Sequence, residues 1–171
     1  MIVCFLLFTF LTKCDTTHAN NVELSAVEII KSSTDSKNLI LKTLPLKKVN
    51  TSTLKLLDNW TAFHVLKNEI TKMVKNTPSI FELQKNDIKQ LFINLEINTP
   101  ELLNTKNIWA RIKVLETNAH KFHEATLNYQ KGSEQIKKTK NNTLRAYNIF
   151  IHQINKTHEK YSQLITKKEI N

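Results

Sequence analysis

The chain has 171 residues, a net charge of +10 at pH 7 and a single glycine, Gly132. An average chain of this length carries about 12 glycines, which supply the positive-φ positions of hairpin turns, phosphate loops and nucleophile elbows. The composition therefore argues against β-sandwiches, dinucleotide-binding folds and phosphate loops, and it favours an all-α protein.

The first predicted element is a secretory signal peptide at residues 1–19. Residues 2–11 form a run of ten mostly apolar residues, which is about half the length that a membrane-spanning helix needs and matches the apolar centre of a signal peptide. A small residue two positions before Ala19 places the predicted cleavage between Ala19 and Asn20. We therefore expect a secreted, extracellular protein with no stable membrane insertion.

Both cysteines of the chain, Cys4 and Cys14, lie in this leader. Cleavage would leave 152 residues with no thiol and no disulfide. Small secreted domains usually rely on disulfides, but a chain of this length can bury about two-thirds of its unfolded surface in one core. We therefore predict a single helical domain at residues 20–171.

Apolar residues recur at helical spacing through most of the mature chain. Thr99 is a predicted N-cap, because Pro100 and Glu101 suit the first turn of a helix. In the two C-terminal ranges the inward residues alternate steps of three and four, a heptad pattern. The predicted fold is a four- to five-helix bundle with long antiparallel C-terminal helices. The predicted ranges are 22–44, as one or two short helices, then 52–75 or 58–75, 79–96, 99–131 and 143–168.

The heptad pattern also predicts which side chains face inward near the helix ends. Tyr129 closes the inward face of the fourth helix, and Gly132 with the serine after it is expected to separate the last two helical segments. His158, Tyr161 and Ile165 continue the inward face of the last helix. We interpret His158 as a hydrogen-bonded histidine at the edge of the core, near Tyr161, rather than as a catalytic base.

Four sequons of the form N-x-S/T become glycan acceptors in a secreted chain. Asn50 and Asn141 are predicted to lie in loops. Asn59 would fall on the buried face of a helix that began at Ser52, so either that helix begins at Asp58 or the site is empty. The four predicted acceptors are Asn50, Asn59, Asn141 and Asn155, of which the last lies at the edge of an inward face.

Only two of the 25 basic residues are arginines. The charge therefore favours solubility and loose attraction to polyanions over sequence-specific nucleic-acid binding. Residues 131–171 hold nine basic and three acidic residues, and Lys137, Lys138 and Lys140 have the spacing of some heparin-binding segments. A site for sulfated glycans is one interpretation, and a solvated lysine loop is the other.

His120 and His123 lie one helical turn apart, a spacing at which two histidines can share a metal. The surrounding residues match neither H-E-x-x-H nor H-x-x-E-H, so we interpret the pair as part of an exposed polar face. No Ser/His/Asp or Cys/His arrangement is apparent. The sequence therefore predicts no enzymatic activity, no cofactor and no metal.

These features favour a non-enzymatic extracellular interaction protein that binds a protein receptor or another secreted protein. In gross plan the chain is similar to helical cytokines, and the same plan suits a seminal, salivary or haemolymph protein. The alternative is an extracellular carrier of a fatty acid or another apolar ligand within the helical bundle. An internal cavity of roughly 300 Å³ or more would favour the carrier.

Overall fold

A computed structural model describes the backbone of residues 44–170 and the side chains of residues 44–167. The predicted signal peptide, its cleavage site at Ala19 and Asn20, and the chain up to residue 43 lie outside the described residues. All regular structure within the described range is helical, which confirms the all-α prediction. The helices are α1 (Thr51–Leu57), α2 (Thr61–Val74), α3 (Ile80–Leu83), α4 (Lys85–Ile97), α5 (Lys106–Asn128) and α6 (Glu134–Ile170), with one 3₁₀ turn at Glu101–Leu103.

The predicted helix at 52–75 is interrupted between α1 and α2. The interruption places Trp60 in the core, where its ring stacks on Phe63 at 5.5 Å between centroids and meets Phe150 edge-on at 6.1 Å. His64 Nε2 lies 3.0 Å from the carbonyl oxygen of Leu57 and donates to it. The same carbonyl, at the end of α1, also accepts from the backbone N–H of Trp60 at 2.9 Å.

The predicted helix at 79–96 is also divided, because Gln84 adopts extended backbone angles between α3 and α4. The short α3 is held by a carboxylate from α2. Glu69 is buried, and its Oε2 accepts a hydrogen bond of 2.9 Å from the backbone N–H of Ile80. Its Oε1 pairs with Lys72 at 2.6 Å. This arrangement orders α3 so that Phe81 enters the core.

The predicted start of the fourth helix is wrong by several residues. Thr99 donates its hydroxyl hydrogen to the carbonyl oxygen of Leu95 at 2.7 Å, so it belongs to the end of α4. The 3₁₀ turn follows and buries Leu103. Thr105 is the N-cap of α5, and its Oγ1 accepts from the backbone N–H of Ile108 at 3.3 Å. Pro100 favours the first turn of a helix, but the chain instead forms a 3₁₀ turn that buries Leu103.

The end of α2 is where the sequence places it. Asn76 adopts a left-handed φ of 56°. The backbone N–H of Thr77 donates to the carbonyl oxygen of Lys72 at 3.0 Å, and that of Asn76 donates to the carbonyl oxygen of Met73 at 3.2 Å. These two bonds are a Schellman motif, which closes the helix before Pro78.

The last helix is longer than predicted. It begins at Glu134, spans 37 residues and is about 55 Å long. Gly132 has a φ of +85° in the turn before it, and Ser133 Oγ accepts from the backbone N–H of Ile136 at 3.4 Å. Because the start lies nine residues before the predicted one, Asn141 lies in a helix rather than a loop.

The core forms where α5 and α6 pack side by side. The two helices run back along each other, since Thr143 donates its hydroxyl hydrogen to the carbonyl oxygen of Asn118 at 3.0 Å. The predicted inward residues of α5 from Ile108 to Phe122 are buried, whereas Tyr129 lies beyond the helix and is exposed. None of the largest fully buried side chains lies on α5, and only the last of them lies on α6: Trp60, Phe63, Phe81, Phe92 and Phe150.

Alkaline pH is expected to destabilise the folded chain through Tyr147. Burial raises the pKa of this phenol from 10.0 to about 12. The unfolded chain therefore releases the proton at lower pH than the folded chain, and stability that is complete below pH 10 falls as the pH rises towards 12. The loss is about 2–3 kcal/mol in the free energy of unfolding, measurable by urea unfolding across that range.

Two phenylalanine variants isolate this contribution. Tyr147→Phe is expected to remove it, whereas Tyr129→Phe, at an exposed position, is expected to retain it. An unchanged pH dependence in Tyr147→Phe would contradict the assignment.

Candidate interaction surface

The C-terminal part of α6 extends past the helices that cover the rest of it. Asn155 is the last buried residue of the helix, and every described side chain from Glu159 to Lys167 is exposed. The helix that covers α6 does not reach this far. α5 runs back along α6 and its first residue is Lys106, and the 3₁₀ turn just before it also contacts α6. We call residues 159–170 the α6 projection.

The α6 projection carries apolar side chains in the register of the core. Ile151 and Ile154 are fully buried, and the same heptad face continues into Tyr161 and Ile165. These two and Leu164 are exposed by 48%, 41% and 57%. The prediction that Tyr161 and Ile165 face inward is therefore wrong for the described chain, since no helix lies opposite them within residues 44–170. We call Tyr161, Leu164 and Ile165 the projecting seam.

The described charged side chains of the α6 projection flank the projecting seam on one side or lie opposite it, and Lys168 takes the same heptad position as Tyr161. Successive helical residues are rotated by about 100°, so Lys160 and Lys167 lie to one side of Tyr161 and Glu159 lies on the opposite face. Ser162 borders the seam on the other side and is uncharged. An apolar stripe bordered by lysines is the pattern of an amphipathic helix that binds another surface.

An extended segment before α1 runs along the covered part of α6. We call this segment, Leu44–Asn50, the strap. Asn148 Oδ1 accepts from the backbone N–H of Lys47 at 2.7 Å, and its Nδ2 donates to the carbonyl oxygen of Pro45 at 2.9 Å. Further along, Asn155 Oδ1 accepts from the backbone N–H of Asn50 at 2.9 Å, and its Nδ2 donates to the carbonyl oxygen of Lys48 at 3.0 Å.

Two histidines complete this polar edge of α6. Lys47 Nζ donates to His152 Nδ1 at 3.2 Å, and His158 Nδ1 lies 3.2 Å from Thr53 Oγ1. His158 is therefore a hydrogen-bonded histidine at the edge of the core, although its partner is Thr53 and not Tyr161. The strap was not predicted. Its signal in the sequence is the recurrence of Asn148, His152, Asn155 and His158 along one edge of the helix.

Hollows on the described surface lie between neighbouring elements. One of about 520 Å³ lies between the strap and α6, and one of about 470 Å³ lies between α2 and α4. A third of about 310 Å³ lies between the end of α5 and the start of α6. The first is lined mainly by apolar and basic side chains, while the others have mixed polar linings that include Asp87 and Glu124.

The four sequons lie in different environments. Asn50 is exposed at the end of the strap, and Asn59 is exposed in the turn between α1 and α2, so it does not lie in the core. Asn141 is half-buried within α6. Asn155 is only 7% exposed, and a glycan on its Nδ2 would replace the bond to Lys48. This geometry argues against glycosylation at Asn155 and is compatible with it at Asn50 and Asn59.

The three lysines of the candidate polyanion site do not form one cluster. Lys137 pairs with Glu134 at 2.7 Å, and Lys138 is exposed on another side of α6. Lys140 Nζ donates to Asn76 Oδ1 at 2.6 Å. Burial lowers the pKa of Lys140, and the nearby carboxylate of Glu82 partly opposes that shift. The prediction of a sulfated-glycan site here stays open.

The two histidines of α5 have different surroundings. His123 is buried, and its Nδ1 lies 3.3 Å from the carbonyl oxygen of Phe81, to which it donates. His120 is half-buried, so the prediction that both histidines lie on an exposed face is wrong. Across the described residues, no three His, Cys, Asp or Glu side chains lie close enough together to hold a metal ion.

Comparison with known proteins finds no matching family model, no similar curated protein and no similar solved structure. Among the described helices, none combines the length and apolarity that crossing a membrane requires.

Proposed function

We propose that the chain is a secreted, N-glycosylated, non-enzymatic interaction protein built as a helical bundle. It binds a protein receptor or another secreted protein through the α6 projection. The observation that carries this proposal is the projecting seam, in which Tyr161, Leu164 and Ile165 extend the buried face of α6 into solvent.

The projecting seam has the properties of a helix that enters a groove on a partner. Fully burying a Leu or Ile side chain is worth about 1.5–3 kcal/mol, so covering the half-exposed Leu164 and Ile165 yields about 1 kcal/mol each. Tyrosine is enriched among the residues that dominate binding energy, and Tyr161 supplies it here. The chain's net charge of +10 favours association with an acidic partner.

The alternative, a carrier that encloses a fatty acid, has less support. Trp60, Phe63 and Phe150 meet at the centre of the described helices, with ring centroids 5.5 to 6.4 Å apart. Side chains therefore occupy the region where an enclosed ligand would lie. The three hollows described above are at the surface.

The first test is expression of the full chain in animal cells, followed by native mass spectrometry before and after removal of N-glycans. We expect a secreted mature chain that begins at Asn20 and carries glycans. An intact chain from Met1 found only inside cells would overturn the extracellular part of the proposal. A persistent lipid-sized adduct would favour the carrier.

The second test is binding of the labelled secreted protein to cells and to immobilised secreted proteins. The double variant Tyr161→Asp/Ile165→Asp is expected to weaken saturable binding about tenfold or more. The matched control is Gln163→Asp/Thr166→Asp, which places the same two charges on the opposite face of α6. Equal binding by the two variants would contradict the proposed surface. A dimer in sedimentation velocity that is lost in Tyr161→Asp/Ile165→Asp would identify a second copy of the chain as the partner.

A further inference from the structure

We infer that the hollow between the strap and α6 binds a small apolar anion, a carboxylate or sulfonate attached to an aliphatic or aromatic body. This site is separate from the projecting seam and goes beyond the proposed function. The hollow has a volume of about 520 Å³, within the range of about 300–1,000 Å³ that is usual for small-molecule sites.

The floor of the hollow is apolar. The strap contributes Leu44, Pro45 and Leu46, and α6 contributes Ile149. Ile149 is 40% exposed although it lies next to the fully buried Phe150. Apolar surface that is left half-exposed on both sides of one hollow gains free energy when an apolar ligand covers it.

The rim of the hollow is basic. Lys47, Arg145 and His152 line it, and its described lining contains no Asp or Glu. No ion pair joins Arg145 to a carboxylate among residues 44–167. Its planar guanidinium can donate two parallel hydrogen bonds to a carboxylate or sulfonate.

The other two basic groups also keep donors for an anion. Lys47 Nζ donates to His152 Nδ1 at 3.2 Å, and an ammonium has two further N–H bonds. Since Lys47 occupies His152 Nδ1, the other ring nitrogen, Nε2, is the one that can donate to an anion. The rim therefore offers hydrogen-bond donors from three side chains around an apolar floor.

The walls of the hollow are held in place before any ligand binds. Asn148 bonds the backbone of the strap at Lys47 and Pro45, and Asn155 bonds it again at Lys48 and Asn50. A preformed site loses less conformational entropy on binding than a flexible one. The combination of fixed walls, apolar floor and basic rim selects an apolar anion over a neutral apolar molecule.

The test is a fluorescence titration of the full secreted chain with 1-anilinonaphthalene-8-sulfonate, an aromatic sulfonate. Saturable binding at one site is expected, with displacement by dodecanoate. The neutral probe N-phenyl-1-naphthylamine is expected to bind about tenfold more weakly, which corresponds to the loss of one charge-assisted contact. Arg145→Glu and, separately, Ile149→Asp are expected to weaken sulfonate binding at least about tenfold.

Arg111→Glu is the matched control, because it makes the same substitution at an exposed position of α5, away from the hollow and from the three lysines of the candidate polyanion site. Each variant is checked by circular dichroism and thermal melting, and both Arg145 and Ile149 are exposed enough to be replaced in a folded chain. Equal sulfonate affinity in Arg145→Glu and Arg111→Glu, equal affinity for both probes, or no saturable binding would each overturn the inference. Binding that is lost only in Tyr161→Asp/Ile165→Asp would do the same, since it would place the probe on the projecting seam.

Discussion

Phe150→Ala is expected to lower the free energy of unfolding by about 3–5 kcal/mol. The ring is fully buried on α6 and lies 6.1 Å from the ring of Trp60 and 6.4 Å from that of Phe63 between centroids. Truncation removes the transfer free energy of the ring, leaves a cavity that the surrounding helices only partly fill, and removes two aromatic contacts. Urea unfolding followed by circular dichroism at 222 nm measures the change.

The adjacent residue supplies the control for this prediction. Ile149→Ala changes a half-exposed side chain on the same turn of α6, and a loss below about 1 kcal/mol is expected. If both variants lose the same free energy of unfolding, the contacts of Phe150 with Trp60 and Phe63 do not make the expected contribution to the core. The comparison is informative because helix propensity changes little between the two substitutions.

Asn155→Ala is expected to lower the free energy of unfolding by about 2–3 kcal/mol. The side chain bonds two backbone groups of the strap, and alanine would leave the N–H of Asn50 and the carbonyl of Lys48 without these partners. Release of the strap would also expose Leu46 and Val49, which pack against the core. Chemical unfolding of the secreted protein measures the loss.

Thr157→Ala is the matched control because it removes the same sequon and leaves Asn155 in place. Its hydroxyl accepts only a 3.3 Å bond from Gln153 Nε2 among the described residues, so a loss of less than about 1 kcal/mol is expected. Its glycan mass should equal that of the wild-type chain. Equal destabilisation by both variants would contradict the role of Asn155 in holding the strap. A lower glycan mass for Thr157→Ala would show that Asn155 carries a glycan.

Local sequence signals predicted much of the described fold. The heptad face of α5 from Ile108 to Phe122 is buried as expected, because periodic apolar spacing is a property of the helix itself. Asn76 ends α2 where the pattern places an end, because the left-handed conformation is easily reached by asparagine. Boundaries failed where burial of one large side chain outweighed local preference, as at Trp60 and Leu103.

The same limits apply to the candidate sites. The sequence alone determined an all-helical, basic chain with four sequons and two heptad faces. It could not distinguish Ile154 from Tyr161, because both occupy the same heptad face and only the end of the covering elements leaves the second one exposed. It also placed the conflict between glycan and core at Asn59 and not at Asn155, because the strap that buries Asn155 lies about a hundred residues away in the chain. Exposure depends on which distant segments meet, and only the tertiary structure decides that.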